Sequence, residues 1–128
     1  MSLESVIYSR ASTFAGLTAL IGTRFYPNKL PQDPTFPCAR YQVVDSVPVH
    51  SMLTSSGMEQ ARVQISFFGR DYSDCIAVRE QLLLCFSRWR NAASDPVIDD
   101  TLVIDARALY EDEIELHHFL IDFLFITK

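Results

Sequence analysis

Apolar residues recur along this chain with two different periods. In residues 59–69, Ala61, Val63, Ile65 and Phe67 alternate with Arg62, Gln64 and Ser66. A period of two marks a strand with one buried face. Residues 39–47 repeat it, with Ala39, Tyr41 and Val43 opposite Arg40, Gln42 and Val44. So do residues 101–109, with Leu102, Ile104, Ala106 and Ala108 on one face, and His117 to Thr127, with Phe119, Ile121, Phe123 and Phe125. Two other segments have helical spacing. In residues 2–15 the apolar positions are Leu3, Val6, Ile7, Ala11 and Phe14; Ser2 is a candidate N-cap, Gly16 a candidate end, and Gly22 marks a further turn. In residues 72–90, Ile76, Arg79, Leu83, Phe86 and Arg90 fall along one side, and Tyr72, Cys75, Leu82 and Trp89 widen the apolar face. Asp71 is placed to cap this helix, Asp74 puts charge in its first turn, and the run from Asn91 to Pro96 breaks it. The order predicts one α+β domain over residues 1–128, with a mainly antiparallel four-stranded sheet and two helices in the order α-β-β-α-β-β. The first two strands are expected to pair antiparallel, with residues 48–58 as a connection too long for a tight hairpin.

The last strand departs from simple alternation. Its second face carries Leu120, Leu124 and Ile126, interrupted by Asp122. A half-exposed strand is polar there. Two readings follow: the strand is covered on both faces within one subunit, or this face, with Phe68 and Val44, is buried against another subunit. A second irregularity is the stretch from Arg24 to Gln32, with Pro27 and Pro31, followed by Pro34 and Pro37. Proline lacks an N–H and restricts its predecessor, so the stretch is expected to be extended or turned.

Composition narrows the function classes. With 128 residues and 48% hydrophobic content, the chain suits one domain with a substantial core. No apolar run reaches the roughly 18 residues that cross a bilayer, and Glu4 sits where a signal peptide carries basic charge, so a cytosolic setting is expected. Three cysteines at irregular spacing, Cys38, Cys75 and Cys85, argue against a disulfide framework. The net charge of −5 is uneven: residues 1–94 carry nine basic and seven acidic residues (+2), whereas residues 95–128 carry two and nine (−7). This is either clustering of solvated charge or a pair of complementary surfaces that favours head-to-tail association. Overall acidity argues against broad nucleic-acid binding by the domain, and no sequence-specific nucleic-acid partner is expected.

No catalytic, cofactor or metal constellation stands out. His117 and His118 are neighbours in a strand and point to opposite faces, so they cannot readily share a metal. Cys75 and Cys85 lie three turns apart on one helix, which suits packing. Cys38 with His50 is a conceivable nucleophile and base, but lacks a third, orienting group. Glu111, Asp112, Glu113 and Glu115 form an acidic turn better read as solvated than as paired carboxylates or a cation site. The four glycines are too dispersed for a phosphate loop. Arg88-Trp89-Arg90 is a small basic-aromatic cluster, with Trp89 expected in the core and the arginines snorkelling around it.

Arg24-Phe25-Tyr26-Pro27, Leu30-Pro31-Gln32, Pro37 and Tyr41-Gln42, followed by Arg62-Val63-Gln64-Ile65 before Tyr72, a helix and a hydrophobic strand pair, resemble the tail-completion, or tail-to-head joining, proteins of long-tailed bacteriophages. The likeness runs from the first helix to the last strand and rests on order and local pattern. Cys38-Ala39-Arg40 departs from the more apolar lead expected into the strand. The resemblance implies a non-enzymatic structural subunit, encoded in a phage or prophage and without cofactor. It implies a homo-oligomeric ring at the end of the tail tube that joins the tail to the head connector. Its partners would be itself, the tail-tube protein and the head-connector protein, with no membrane; its place would be the bacterial cytoplasm during assembly and then the virion. Candidate subunit-interface residues are Phe68, Leu120, Leu124 and Ile126, with the acidic edge Glu111, Asp112, Glu113 and Glu115. A small ligand-binding or regulatory α+β domain is the alternative, and an enzyme using Cys38 or His50 the third.

Overall fold

The apolar period of the 72–90 segment becomes a helix, α3 (Tyr72–Phe86), because Cys75, Val78, Leu82, Cys85 and Phe86 fall on one side and all are buried. They face β3 (Ser55–Gly69) and β5 (Leu116–Thr127), whose alternate positions Val63, Ile65 and Phe67 and Phe119, Ile121, Phe123 and Phe125 are buried in the same cluster. Phe86 meets Phe123 and Phe125 with ring centroids 5.6 and 5.9 Å apart. The computed structural model describes residues 3–127 except 23, 33, 51–54, 95–96 and 112–114. Ser2, proposed as a cap, lies outside the described residues.

The remaining elements are α1 (Leu3–Thr13), α2 (Ala15–Ile21), β1 (Phe25–Pro27), β2 (Cys38–His50) and β4 (Ile98–Glu111). The sheet has five strands in the order β1-β2-β3-β5-β4 and is mixed. β1 runs parallel to β2, and the pairs β2–β3, β3–β5 and β4–β5 are antiparallel. This corrects the expectation of four mainly antiparallel strands and two helices on two counts.

The first is β1. It is only three residues long and lies within the proline-rich stretch, where its pattern was too short to read. Parallel pairing of Phe25 with Ala39 and of Pro27 with Tyr41 places it, and Phe25 stacks on Tyr41 at 4.5 Å. Arg24 braces the entry, donating from Nε to the Pro37 carbonyl and from Nη2 to that of Leu20. The second is the break between α1 and α2. Phe14 is extended (φ −88°, ψ 105°), and its carbonyl accepts from the N–H groups of Leu17 and Thr18 to start the new helix. Gly16 therefore lies inside α2 and does not end a helix. Gly22, at φ 58°, closes α2, its N–H reaching the Thr18 carbonyl at 2.9 Å.

Three boundaries also differ. α3 stops at Phe86: Arg88 is left-handed (φ 59°), and its N–H turns to the Thr101 carbonyl. Trp89 continues the apolar period only because its ring packs edge-on against Phe86. Residues 48–50 and 55–58, expected within the connection, are strand, since β2 and β3 remain paired out to His50 and Ser55; residues 51–54 lie outside the described residues. In β4 a bulge between Val103 and Asp105 flips the alternation. Leu102 therefore lies opposite Leu124 on one face, while Ala106 and Ala108 lie beside Ile121 and Phe119 on the other.

Candidate subunit interface

The buried sides of all three helices share one core with the sheet face that carries Ala39, Tyr41, Val63, Ile65, Phe67 and the β5 phenylalanines: α3 packs on β3 and β5, α1 on β1, and α2 on α1 and α3. No described helix covers the other face. Register assembles that open face row by row. β3 supplies Gln60, Arg62, Gln64, Ser66 and Phe68, and β5 supplies Ile126, Leu124, Asp122, Leu120 and His118 opposite them. β4 adds Asp100, Leu102, Asp105, Arg107 and Leu109 on the far side.

Four charges meet at its centre. Asp122 and Asp105 are cross-strand partners. Arg62 Nη2 lies 2.5 Å from Asp122 Oδ2, and this bond holds the Arg62 guanidinium above its usual pKa. The Asp122 side chain is only 3% exposed although Arg62 is 43% exposed, and its Oδ1 has no hydrogen-bond partner among the described residues. Arg107 Nε lies 2.8 Å from Asp105 Oδ2. That bond, together with the Ala106 N–H at 2.9 Å, holds the Asp105 carboxyl below the usual carboxylate range. The sequence shows Arg62 as a polar strand position and Asp122 as an interruption; it does not show that register joins them, because pairing across 60 residues leaves no local signal.

The candidate residues occupy one face but not one patch. Phe68 is half-buried and stacks on His118 at 4.3 Å. Leu120, two residues along, is buried at 8% exposure. Leu124 and Ile126 are half-buried beyond the charge cluster; Ile126 lies about 26 Å from His118 at 3.3 Å per residue. Glu111 ends β4, and Glu115, exposed and left-handed at φ 53°, leads into β5. Both sit at the Phe68 end of the face. Asp112 and Glu113 lie outside the described residues. β5 is an interior strand with no described helix over its second face, yet Leu120 and Asp122 on that face are buried within the single subunit. Val44, half exposed, sits at a bulge in β2.

The chemistry weighed above is taken apart by the geometry. Cys38 and His50 stand at opposite ends of β2, about 40 Å apart by strand rise. Cys38, Cys75 and Cys85 are buried, and burial pushes each thiol up to about 11, so none is poised as a thiolate. Cys75 instead donates to the His117 carbonyl at 3.8 Å. His118 stacks on Phe68, whereas His117 packs against Tyr72 and Tyr110. Among the described residues no His, Cys, Asp and Glu group has the geometry of a metal site, and no helix is long and apolar enough to cross a membrane. Arg88 and Arg90 do not snorkel around Trp89. Both reach toward Asp100, at 3.1 and 3.9 Å, and the cation over the Trp89 ring is Arg10. Arg10 also lies over Phe14, binds the Cys85 carbonyl near the end of α3 and lines a cleft of about 370 Å³ with Ser9, Trp89 and Asn91.

A family model described as "Tail completion protein gp17" matches residues 5–128. A chain in the solved structure titled "Virion of native gene transfer agent (GTA) particle" has the same fold, with a TM-score of 0.82 over 98% of this chain and 94% of that one, at 14% identity. No curated protein matches the chain in sequence.

Proposed function

Because this chain belongs to the tail completion protein gp17 family, and is by that membership a phage-type structural protein, we propose that it forms a ring at the end of a tail tube and joins the tail to the head connector. The single observation that carries this reading is the family match, which spans nearly the whole chain. The fold shared with a chain of the gene transfer agent virion supports it. Its partners are further copies of itself, the tail-tube protein and the head-connector protein. It works in the bacterial cytoplasm during assembly and then in the virion, and carries out no catalysis.

The surface suits that role. Phe68, Leu120, Leu124 and Ile126 line an open sheet face, and Glu111 and Glu115, with Asp112 and Glu113 between them in sequence, come at one end of it. These are the proposed contacts with a neighbouring subunit or docking partner. Electron microscopy of particles made without the gene is the test. Unjoined heads and tails are expected to accumulate; intact particles in normal number would overturn the reading.

A further inference from the structure

β4 is the least finished element of the subunit. It is last in the strand order, so one of its two edges is unpaired. Its helix-side positions Val103, Ala106, Ala108 and Tyr110 lie beside Phe123, Ile121, Phe119 and His117 of β5. The three apolar β5 partners are buried, whereas all four β4 residues are exposed. α3 packs on β3 and β5 and leaves this margin bare. On the other face Leu109 is 49% exposed. Bulges break the first half of β4, but from Asp105 to Glu111 its pairing with β5 runs seven residues without a shift, and no proline or lysine interrupts it. Soluble monomers blunt such edges, because their free N–H and C=O groups accept another strand.

We infer that the Asp105–Glu111 edge of β4 adds, main chain to main chain, to the opposite sheet edge of a second copy of this chain, formed by β1 and the outer part of β2. Charge selects this occupant. β4 carries Asp99, Asp100, Asp105 and Glu111 against one cation of its own, Arg107, which binds Asp105; Arg88 and Arg90, outside the strand, approach Asp100. The opposite edge carries Arg24, Lys29 and Arg40 against one carboxylate, Asp45, and among the described residues none of the three cations pairs with a carboxylate. β4 against β4 would bring together two strands of the same net negative charge, which disfavours that pairing. The accepting edge is also available, because β1 covers β2 only as far as Tyr41 and leaves it unpaired from Gln42 outward. Since donor and acceptor are opposite edges of one sheet, repetition is head-to-tail and closes into a ring when the rotation allows. The inference rests on the ring reading and specifies which surfaces build the ring.

The test uses full-length protein in purified tails. Amide hydrogen exchange is measured over residues 105–111 in tails and in the free subunit, and Ala108→Lys is compared with Leu84→Lys as a surface control. Protection of 105–111 only in tails is expected, with Ala108→Lys incorporated at least about tenfold less and Leu84→Lys incorporated normally. Equal exchange at 105–111 in a multimeric tail-bound ring overturns the strand addition and leaves the ring reading standing. Disulfide trapping of one Leu109→Cys copy to another overturns the choice of partner edge. A single wild-type copy per tail removes the ring and this inference together.

Discussion

The two faces of β5 differ in chemistry although both are built from one twelve-residue strand. Toward the helices it presents Phe119, Ile121, Phe123 and Phe125, each at most 1% exposed. Away from them it presents His118, Leu120, Asp122, Leu124 and Ile126, an apolar row with a carboxylate at its centre. The first face holds the subunit together by close packing. The second is organised by ion pairs that help little with stability in general, since charge leaves water at a cost close to what pairing returns. Its content is better suited to positioning and discrimination than to holding the fold.

The largest separation between the faces is expected in stability. Phe123→Ala removes a fully buried ring that touches Phe86 and Phe125, and the cavity adds to the lost transfer energy. A loss of about 3–5 kcal/mol is expected by denaturant unfolding. Leu124→Ala, one residue along and half-buried, should cost about 1 kcal/mol. Equal costs would erase the distinction.

A smaller effect tests whether the charge cluster is structural. Arg62→Ala strips the Asp122 carboxylate of its cation, and that side chain is 3% exposed with one oxygen already unbonded. The unfolding midpoint should fall, by less than for Phe123→Ala. The double variant Arg62→Leu/Asp122→Leu should recover most or all of the loss, because replacing both members of a buried pair avoids stranding a charge. Wild-type stability in the single variant would show that the pair holds nothing.

How far these faces are legible in sequence depends on range. Alternation at Ala61–Phe67 and Phe119–Phe125 identifies buried faces, because burial on one side imposes a period of two. The buried stripe of α3 is equally plain. What escaped reading is either short or distant. β1 has three residues and finds its partner across a proline-rich stretch. Phe14 breaks a helix with neither glycine nor proline. Pro48 and the serines of residues 51–56 have the composition of a loop, yet residues 48–50 pair in a strand. The bulge at Ile104 reverses alternation without marking itself. The open face suffers most, since its meaning lies in register: the bond from Arg62 to Asp122 and the pairing of Asp122 with Asp105 exist only once three strands are aligned.

Salt sharpens the contrast at the acidic end of the open face. Glu115 is exposed and left-handed, so Glu115→Lys alters charge with little cost to the core. Reversing it is expected to weaken self-association severalfold at low ionic strength, with the difference fading near 1 M salt, where the screening length falls to about 3 Å. Sedimentation or light scattering across a salt series reads this out. An assembly whose strength ignores both salt and the substitution rules out the electrostatic contact at that end.

The smallest expected effect lies in acid and separates the Asp105 carboxylate from the apolar face of the sheet. Arg107 and the Ala106 N–H hold Asp105 below its unfolded value of 3.8. The sign follows from linkage: a depressed carboxyl contributes stability that is complete above the unfolded pKa and is lost as pH falls through the folded one. Wild-type stability should therefore decline below about pH 4, and Arg107→Ala should flatten part of that decline while lowering stability slightly at neutral pH. The Asp105 side chain is 36% exposed, so the change is screened and modest. Phe123→Ala, by contrast, should shift the whole stability–pH curve downward without changing its shape, because no proton is bound or released at an apolar contact. If Arg107→Ala also leaves the acid limb unchanged in shape, the Asp105 carboxyl is not tied to the cluster, and the open face divides into independent pairs.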